Sequence, residues 1–358
     1  MTEFYEQVKE RLMRYARINT ESNPHSTSVP TTSCQHDLAK VIYEELQKIG
    51  ATNAYYDKDT CVVYGSLEAN VKTGRAIGFV THMDTAPDAS GKDVKPWVLE
   101  NYDGKDIVLN AEKDIVMSPS VFPNLKQYIG QDLILTDGTT LLGGDDKASI
   151  AAVMTLLEYL VKHPEIKHNF ISVAFTPDEE VSGLAKDLDL ERFKSPIAYT
   201  LDGDHLGYYM DETFNASLST IEIHGISVHT ATAKGIMKNA VDIGNAFLNK
   251  LLALEKPQYT QGREGFYHVV SFNGDCEYAK IEINVRDHDS LQFDIRNNTL
   301  KMIVDMLNEE YGQGTVNITQ RIQYRNLKEV IDQVPFMIPY LKQAIESVGL
   351  TPQTEPFR

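Results

Sequence analysis

Residues 169–183 read NFISVAFTPDEEVSG. Through Thr176 the run is short, apolar and rich in β-branched and aromatic side chains, the pattern of a buried strand, and Pro177 ends it. Three carboxylates then stand side by side: Asp178, Glu179 and Glu180. Adjacent like charges repel, and a metal ion is the obvious counter-charge; the bland alternative is a solvated acidic turn after the proline. Working outward, the short apolar runs AIGFVTH (76–82) and IAYTLDG (197–203) alternate with the long helical pattern KASIAAVMTLLEYLVKHPE (147–165). That alternation predicts a sheet with helices on its faces. Open α/β sheets place ligands beyond strand ends, and the chemically distinctive residues of this chain fall there.

In FVTHMDT, His82 and Asp84 point to the same side of an extended segment because side chains alternate with period two. Asp84 can therefore accept the proton on one ring nitrogen of His82 and leave the other free for a metal. Alone, this reads better as a surface or structural histidine. In LLGGDDKAS, two glycines and the pair Asp145, Asp146 precede the long helix; the alternative is an acidic helix cap. Asp202, in AYTLDG, is otherwise a turn aspartate before glycine. Together they carry more weight. Zinc takes His, Asp and Glu ligands, and two zinc ions roughly 4 Å apart need a bridging carboxylate and about two terminal ligands each. His82, Asp145, Glu180 and Asp202 supply four of those five.

The rest of the chain bounds the reading. Its 358 residues suffice for two domains, and 34 Lys plus Arg against 51 Asp plus Glu give a net charge of −17, which would repel a phosphate backbone. No nucleic-acid partner is expected. Cys34, Cys61 and Cys276 are widely spaced and read as reduced thiols. The first residues, MTEFYEQVKERLMRYARI, interleave charges with apolar residues at helical spacing, unlike a signal peptide, and no apolar run approaches a membrane span. A soluble, cytoplasmic protein without a membrane partner is expected. A Ser/Thr/Pro-rich loop, NTESNPHSTSVPTTS (19–33), separates the first helix from a second, QHDLAKVIYEELQKIG, closed by Gly50. About forty residues between THMDTAPD and DGTTLLGGDDK are too long for an ordinary connection and suggest a functional flap. From about residue 211 alternating strands appear with two amphipathic helices near 238–255 and 289–311, an α+β insert, before a helical pattern returns. The expected organisation is a catalytic α/β domain from 1–210 and 323–358, interrupted by a lid at 211–322.

The segments THMDTAPD, DGTTLLGGDDKAS, AFTPDEEVSG, AYTLDG, HTATAKGIMKNA and YTQGREGFYHVVSFNG resemble the dizinc exopeptidases, and within them the tripeptide-aminopeptidase branch; the resemblance spans essentially the whole chain. It implies a zinc-exopeptidase-like mixed sheet flanked by helices, with a lid that binds substrate and forms homodimers. His82 and Asp202 would be terminal ligands of one zinc, Glu180 of the other, and Asp145 the bridge. Glu179 would be the general base that activates water for attack on short peptides, Asp84 the partner of His82, and Asp178 a residue shaping the turn or the pocket. The bond between Asp145 and Asp146 would be cis. His229 would help hold the oxyanion, although Thr230 and Ala231 follow it where the family commonly has Pro-Gly. Asn239 matches the family's lid asparagine. Arg286 would touch substrate, or equally pair with Asp287 or another lid acid. Arg358 matches an arginine for the substrate carboxylate. Family members continue beyond that point to a late histidine on the second zinc, so this chain is expected to have one well-liganded position and one deficient position, with impaired activity. Competing readings are a deacylase or dipeptidase of the same family, or a non-catalytic peptide-binding relative.

Overall fold

The computed structural model describes residues 2–182, 188–203, 205–354 and 356. Their contacts fall into two units, Met1–Asp202 and Gly203–Arg358.

The first unit opens with α1 (Thr2–Ala16) and α2 (Gln35–Ile49). α2 ends where the sequence predicts: Gly50 adopts φ +89° and its N–H returns to the carbonyls of Leu46 and Gln47. There follow β1 (Thr52–Tyr56), β2 (Val63–Leu67), β3 (Ile77–His82), β4 (Trp97–Leu99), β5 (Ile107–Asn110), β6 (Ile115–Met117), β7 (Leu133–Leu135), α3 (Gly144–Lys162), β8 (Ile171–Thr176), α4 (Glu179–Ser182), α5 (Leu190–Phe193) and β9 (Ala198–Thr200). The main sheet has the order β1-β2-β8-β3-β9. β1, β2 and β8 pair antiparallel, whereas β8, β3 and β9 run parallel, making the mixed sheet expected. Every residue of β8 is buried, as its continuous apolar run requires. Leu38, Ile42 and Leu46 of α2 and Ile150, Met154 and Leu157 of α3 cover one face of the sheet. Phe193 of α5 packs on the other with Val62, Tyr64 and Ala174. Gly78 in β3 allows that approach, since a Cβ there would lie 2.3 Å from Phe193 Cζ.

Register brings the distinctive residues together. His82 is level with Thr176 and Val80 with Thr200 in the parallel ladders, so the chain beyond β3, β8 and β9 leaves the sheet at one edge. The hydrogen bonds Met83 N to Thr176 O (2.8 Å) and Leu201 N to Val80 O (3.1 Å) extend this alignment past the strands. The long excursion between β3 and α3 has structure of its own: hairpin-like pairs β4–β7 and β5–β6 close over Tyr102, Ile107 and Leu125, with Trp97, Leu99 and Leu133 packed against them.

The second unit contains β10 (Asn215–His224), α6 (Ala240–Asn249), β11 (Phe266–Gly274), β12 (Tyr278–Asp287), α7 (Ser290–Tyr311), β13 (Val316–Tyr324), α8 (Lys328–Ile331) and α9 (Met337–Ser347). Its antiparallel sheet has the order β11-β12-β10-β13. Ile221, Ile281, Ile283 and Val285 point to one face, where Phe247 of α6 and Phe293, Leu300 and Leu307 of α7 cover them. The period-two burial of β12 is the alternation that distinguishes this unit in sequence.

Candidate metal centre

His82 ends β3 and is only 2% exposed. Its Nδ1 lies 3.1 Å from the Asp84 carbonyl oxygen and 3.3 Å from Asp84 Oδ1. Both neighbours are acceptors, so Nδ1 carries the proton and Nε2 faces outward. Nε2 is 2.9 Å from Asp145 Oδ1 and 4.0 Å from Asp202 Oδ2. Ligand atoms of His82, Asp145 and Asp202 all lie within 4.8 Å of one another. One imidazole nitrogen and two carboxylates, two of the three open to solvent, form a donor set suited to a divalent cation.

The capping alternative for the aspartates at the start of α3 fails. Gly143 occupies the cap with φ +72° and no side-chain cap bond, and Asp145 has non-helical φ −77°, ψ 110°. The expected cis peptide bond joins Asp145 to Asp146. Asp146 turns inward: it is buried, its Oδ2 accepts the His82 N–H at 3.1 Å, and burial pushes its carboxyl up to about 8. Burial acts to lower the His82 pKa, but its hydrogen bonds to the Asp145 and Asp84 carboxylates outweigh this and raise it to about 11. The hydrogen bond from His82 holds Asp145 below the usual carboxylate range, whereas burial raises Asp202.

The three carboxylates of the opening stretch separate in space. Asp84 Oδ1 accepts the Glu179 N–H at 2.9 Å and Oδ2 the Glu180 N–H at 3.1 Å, which fixes the start of α4 against the His82 loop. Glu179 and Glu180 are half-buried, and burial raises both carboxyls. Asp178 is buried and faces another partner: its oxygens accept Thr31 N–H, Thr31 Oγ1 and Gln35 Nε2. Thr31 and Gln35 carry no motif and escape sequence reasoning; Lys147, 1% exposed with Nζ donating to Ile18 O at 2.8 Å, was legible only as the lysine following the aspartate pair.

The remaining candidates lie in the second unit. His229 is exposed, and its Nδ1 accepts the Ala231 N–H at 3.2 Å, which leaves Nε2 as the nitrogen available to a ligand. The alanine in place of the family's glycine still supplies the amide that orients the ring. Asn239 caps α6, accepting from Val241 N at 2.9 Å. Arg286 is half-buried over the rings of Phe214 and Tyr324, at 5.1 and 5.9 Å, and donates to Gln323 Oε1 at 3.0 Å. Asp287 instead pairs with Arg296 at 2.7 Å, so the expected Arg286–Asp287 bridge is not formed. Among the described residues no carboxylate pairs with Arg286. Arg358 lies outside the described residues.

Comparison with known proteins places this geometry. A histidine and two carboxylates gathered beyond the parallel strands of a mixed sheet define a candidate metal-binding α/β protein, and the relatives place it among the peptidases. The family profile described as a peptidase dimerisation domain matches residues 212–315. The chain is 46% identical over 352 residues to peptidase T of Alkaliphilus oremlandii, covering 98% of this chain and 86% of that protein. It is 46% identical over 354 residues to peptidase T of Clostridium novyi, covering 99% and 87%. The crystal structure of aminopeptidase PepT from Bacillus cereus superposes with a TM-score of 0.74 at 20% identity, over 98% of this chain and 84% of that one. A tripeptidase from Staphylococcus aureus gives 0.73 at 19% identity, over 98% and 83%. The Bacillus subtilis YXEP protein, a dinuclear metal-binding peptidase of the M20 family, gives 0.61 at 10% identity, over 100% and 84%. The chain belongs to the peptidase T family.

Proposed function

We propose that this protein is a metal-dependent aminopeptidase that releases the N-terminal residue of tripeptides, with zinc as the metal. The observation that carries the reading is the meeting of His82, Asp145 and Asp202 at the shared edge of β3 and β9 and the start of α3, with Asp84 joining that group to Glu179. His82 and Asp202 would hold one metal ion and Glu180 a second, with Asp145 shared between them. When bound, zinc supplies Lewis acidity toward water and the scissile carbonyl. Glu179 takes the proton of the attacking water and returns it to the leaving amine; its carboxyl, raised by burial, is better matched to that work near neutral pH than an exposed one. Asp84 keeps His82 in the tautomer a metal requires.

His229, Asn239, Arg286 and Arg358 are assigned to the substrate. His229 offers Nε2–H to an oxyanion, and Arg286, lacking a carboxylate partner among the described residues, offers a guanidinium to the peptide carboxylate. Asn239 has no hydrogen bond on its amide nitrogen among the described residues, which leaves that nitrogen for this role while its oxygen caps α6. The same reading keeps 1–210 and 323–358 as the catalytic domain and 211–322 as the lid.

A homodimer through that lid is supported by α7. Its outer face exposes Leu291, Ile295, Met302 and Met306, at i, i+4, i+11 and i+15, opposite Phe293, Leu300 and Leu307, which face the sheet. The spacing reads the same in both directions, so an antiparallel copy of the helix would set Leu291 against Met306 and Ile295 against Met302. The decisive experiment is hydrolysis of a tripeptide series by the protein, its loss on chelation and its return with zinc. A chain that binds zinc and leaves every tripeptide intact, or that cleaves N-acyl amino acids instead, would refute the assignment.

A further inference from the structure

The Ser/Thr/Pro-rich stretch between α1 and α2 has no part in the chemistry described above, yet it touches three of the four loops that carry it. At the His82 loop, Thr85 N donates to Thr20 O at 3.2 Å and Ser22 N to Thr85 O at 3.1 Å. At the start of α3, the buried Lys147 ammonium donates to Ile18 O at 2.8 Å. Lys147 lies across Gly143, where a Cβ would sit 3.4 Å from Nζ on a backbone with φ +72°. At the acidic turn, both Asp178 oxygens are engaged by Thr31 and Gln35, and Gln35 Oε1 in return accepts the Asp178 N–H at 3.3 Å. Thr32 Oγ1 donates to Glu21 O at 2.7 Å and ties the two ends of the stretch to each other.

We infer that residues 18–35 are a brace that sets the relative positions of three of the four ligand-bearing loops, those of His82, Asp145 and Glu180, with Asp178 and Lys147 as the positioning residues through which it acts. The alternatives for Asp178 are metal ligation and substrate contact. Its carboxylate is 6% exposed and turned to the brace, so neither oxygen is directed outward as a ligand or a pocket wall would be. Glu179 is then held on both sides: its own N–H by Asp84, and the residue before it by Thr31 and Gln35. Catalytic groups work only within a narrow range of positions, so slack in this turn should lower turnover before it weakens binding. This rests on the assignment of Glu179 as base.

The test compares Asp178→Asn, Thr31→Val, Thr31→Ser and Lys147→Met with the parent. Tripeptide kcat and KM, zinc content, and amide hydrogen exchange in 18–35 and 171–182 are measured. Asp178→Asn should lower kcat by about 10- to 100-fold, with KM within about twofold and zinc content unchanged. Exchange at the Thr31 amide, which donates to Asp178, should accelerate. Thr31→Ser, which keeps the hydroxyl, should behave as the parent, and Thr31→Val should fall between, a pair that decides the matter if Asp178→Asn fails to fold. Lys147→Met should accelerate exchange at Ser22 and Thr85. Loss of zinc in Asp178→Asn would make Asp178 a ligand, and a rise in KM with kcat unchanged would place it in the pocket; either overturns the brace. Unchanged exchange in 18–35 would do the same. If the zinc-loaded parent is inactive while Thr31 exchange still responds to Asp178→Asn, the brace stands and the assignment of Glu179 falls.

Discussion

Asp84 and Glu179 are joined by a hydrogen bond of 2.9 Å from the Glu179 amide to Asp84 Oδ1, the same oxygen that lies 3.3 Å from His82 Nδ1. One buried carboxylate therefore fixes the tautomer of a candidate ligand and the position of the candidate base. Asp84→Asn should weaken both functions, because an amide presents one acceptor where the carboxylate uses two. Metal affinity is expected to fall by about 10- to 100-fold, read by competition with a chromophoric chelator. Parental affinity in the variant would show that the Asp84 carbonyl alone orients His82.

Glu179→Gln and Glu180→Ala should separate chemistry from metal binding. The first keeps its metal and loses about 10²–10⁴-fold in kcat, since an amide cannot take the water's proton. The second keeps the metal at His82, Asp145 and Asp202 and loses binding at the second position. Zinc titration and steady-state hydrolysis on the same preparations check both. A Gln variant that turns over at the parental rate places the base elsewhere.

The GREGFYH segment (262–268) has a structural reason for its second glycine, Gly265. A Cβ on Gly265 would lie 2.0 Å from Asp287 Oδ2 and 2.5 Å from Arg296 Nε, in the ion pair that Arg296 also extends to Glu255. Gly265→Ala must push Asp287, 5% exposed, away from Arg296, 13% exposed. Breaking a buried pair costs about 3–5 kcal/mol, and the thermal unfolding transition should shift downward accordingly. An unshifted midpoint would mean that the pair can move aside.

Acid should loosen the contact between α1 and α2. Arg11 donates to Glu45 at 2.8 Å, to Thr155 at 2.8 Å and to Glu158, while Tyr15 donates to Glu45 at 2.6 Å. Burial works to raise the Glu45 carboxyl, but hydrogen bonds from Arg14, Tyr15 and Arg11 outweigh it and the net shift is downward. A depressed carboxylate contributes stability that is complete above its unfolded pKa, about 4.3, and is lost as pH falls through the lower folded value. Glu45→Gln should therefore cost about 1–3 kcal/mol at neutral pH, with the gap to the parent closing as pH drops below about 4. Denaturant unfolding at pH 7 and pH 3 measures it; a gap that widens in acid would reverse the sign argued here.

The α7 stripe predicts self-association. Ile295→Glu with Met302→Glu should convert a dimer to a monomer in sedimentation while leaving the fold intact, because both side chains are exposed in the single chain. A parent that is monomeric at all concentrations, or a dimer indifferent to the two glutamates, would remove α7 as the contact.

The local readings were those the chain states directly. The buried strand before Pro177, the helix closed by Gly50 and the alternation of β12 follow from period and turn chemistry within one short window, so composition and spacing suffice for them. The ligand types were equally plain, since adjacent carboxylates and H-x-D at strand ends are local patterns. What the sequence could not assign was partnership over long separations. Asp178 could have shaped a turn or a pocket, and only the docking of the loop before α2 on the end of β8 gives it Thr31 and Gln35. Arg286 and Asp287 are neighbours that look paired, but successive residues of a strand face opposite sides of the sheet; Asp287 goes to Arg296 on α7, and Arg286 stays on the far face with Phe214 and Tyr324. Even the meeting of His82 with Asp202 depends on β3 lying between β8 and β9. Strand order is set by which faces bury together across the whole sheet, a property of the assembled core that no single segment contains.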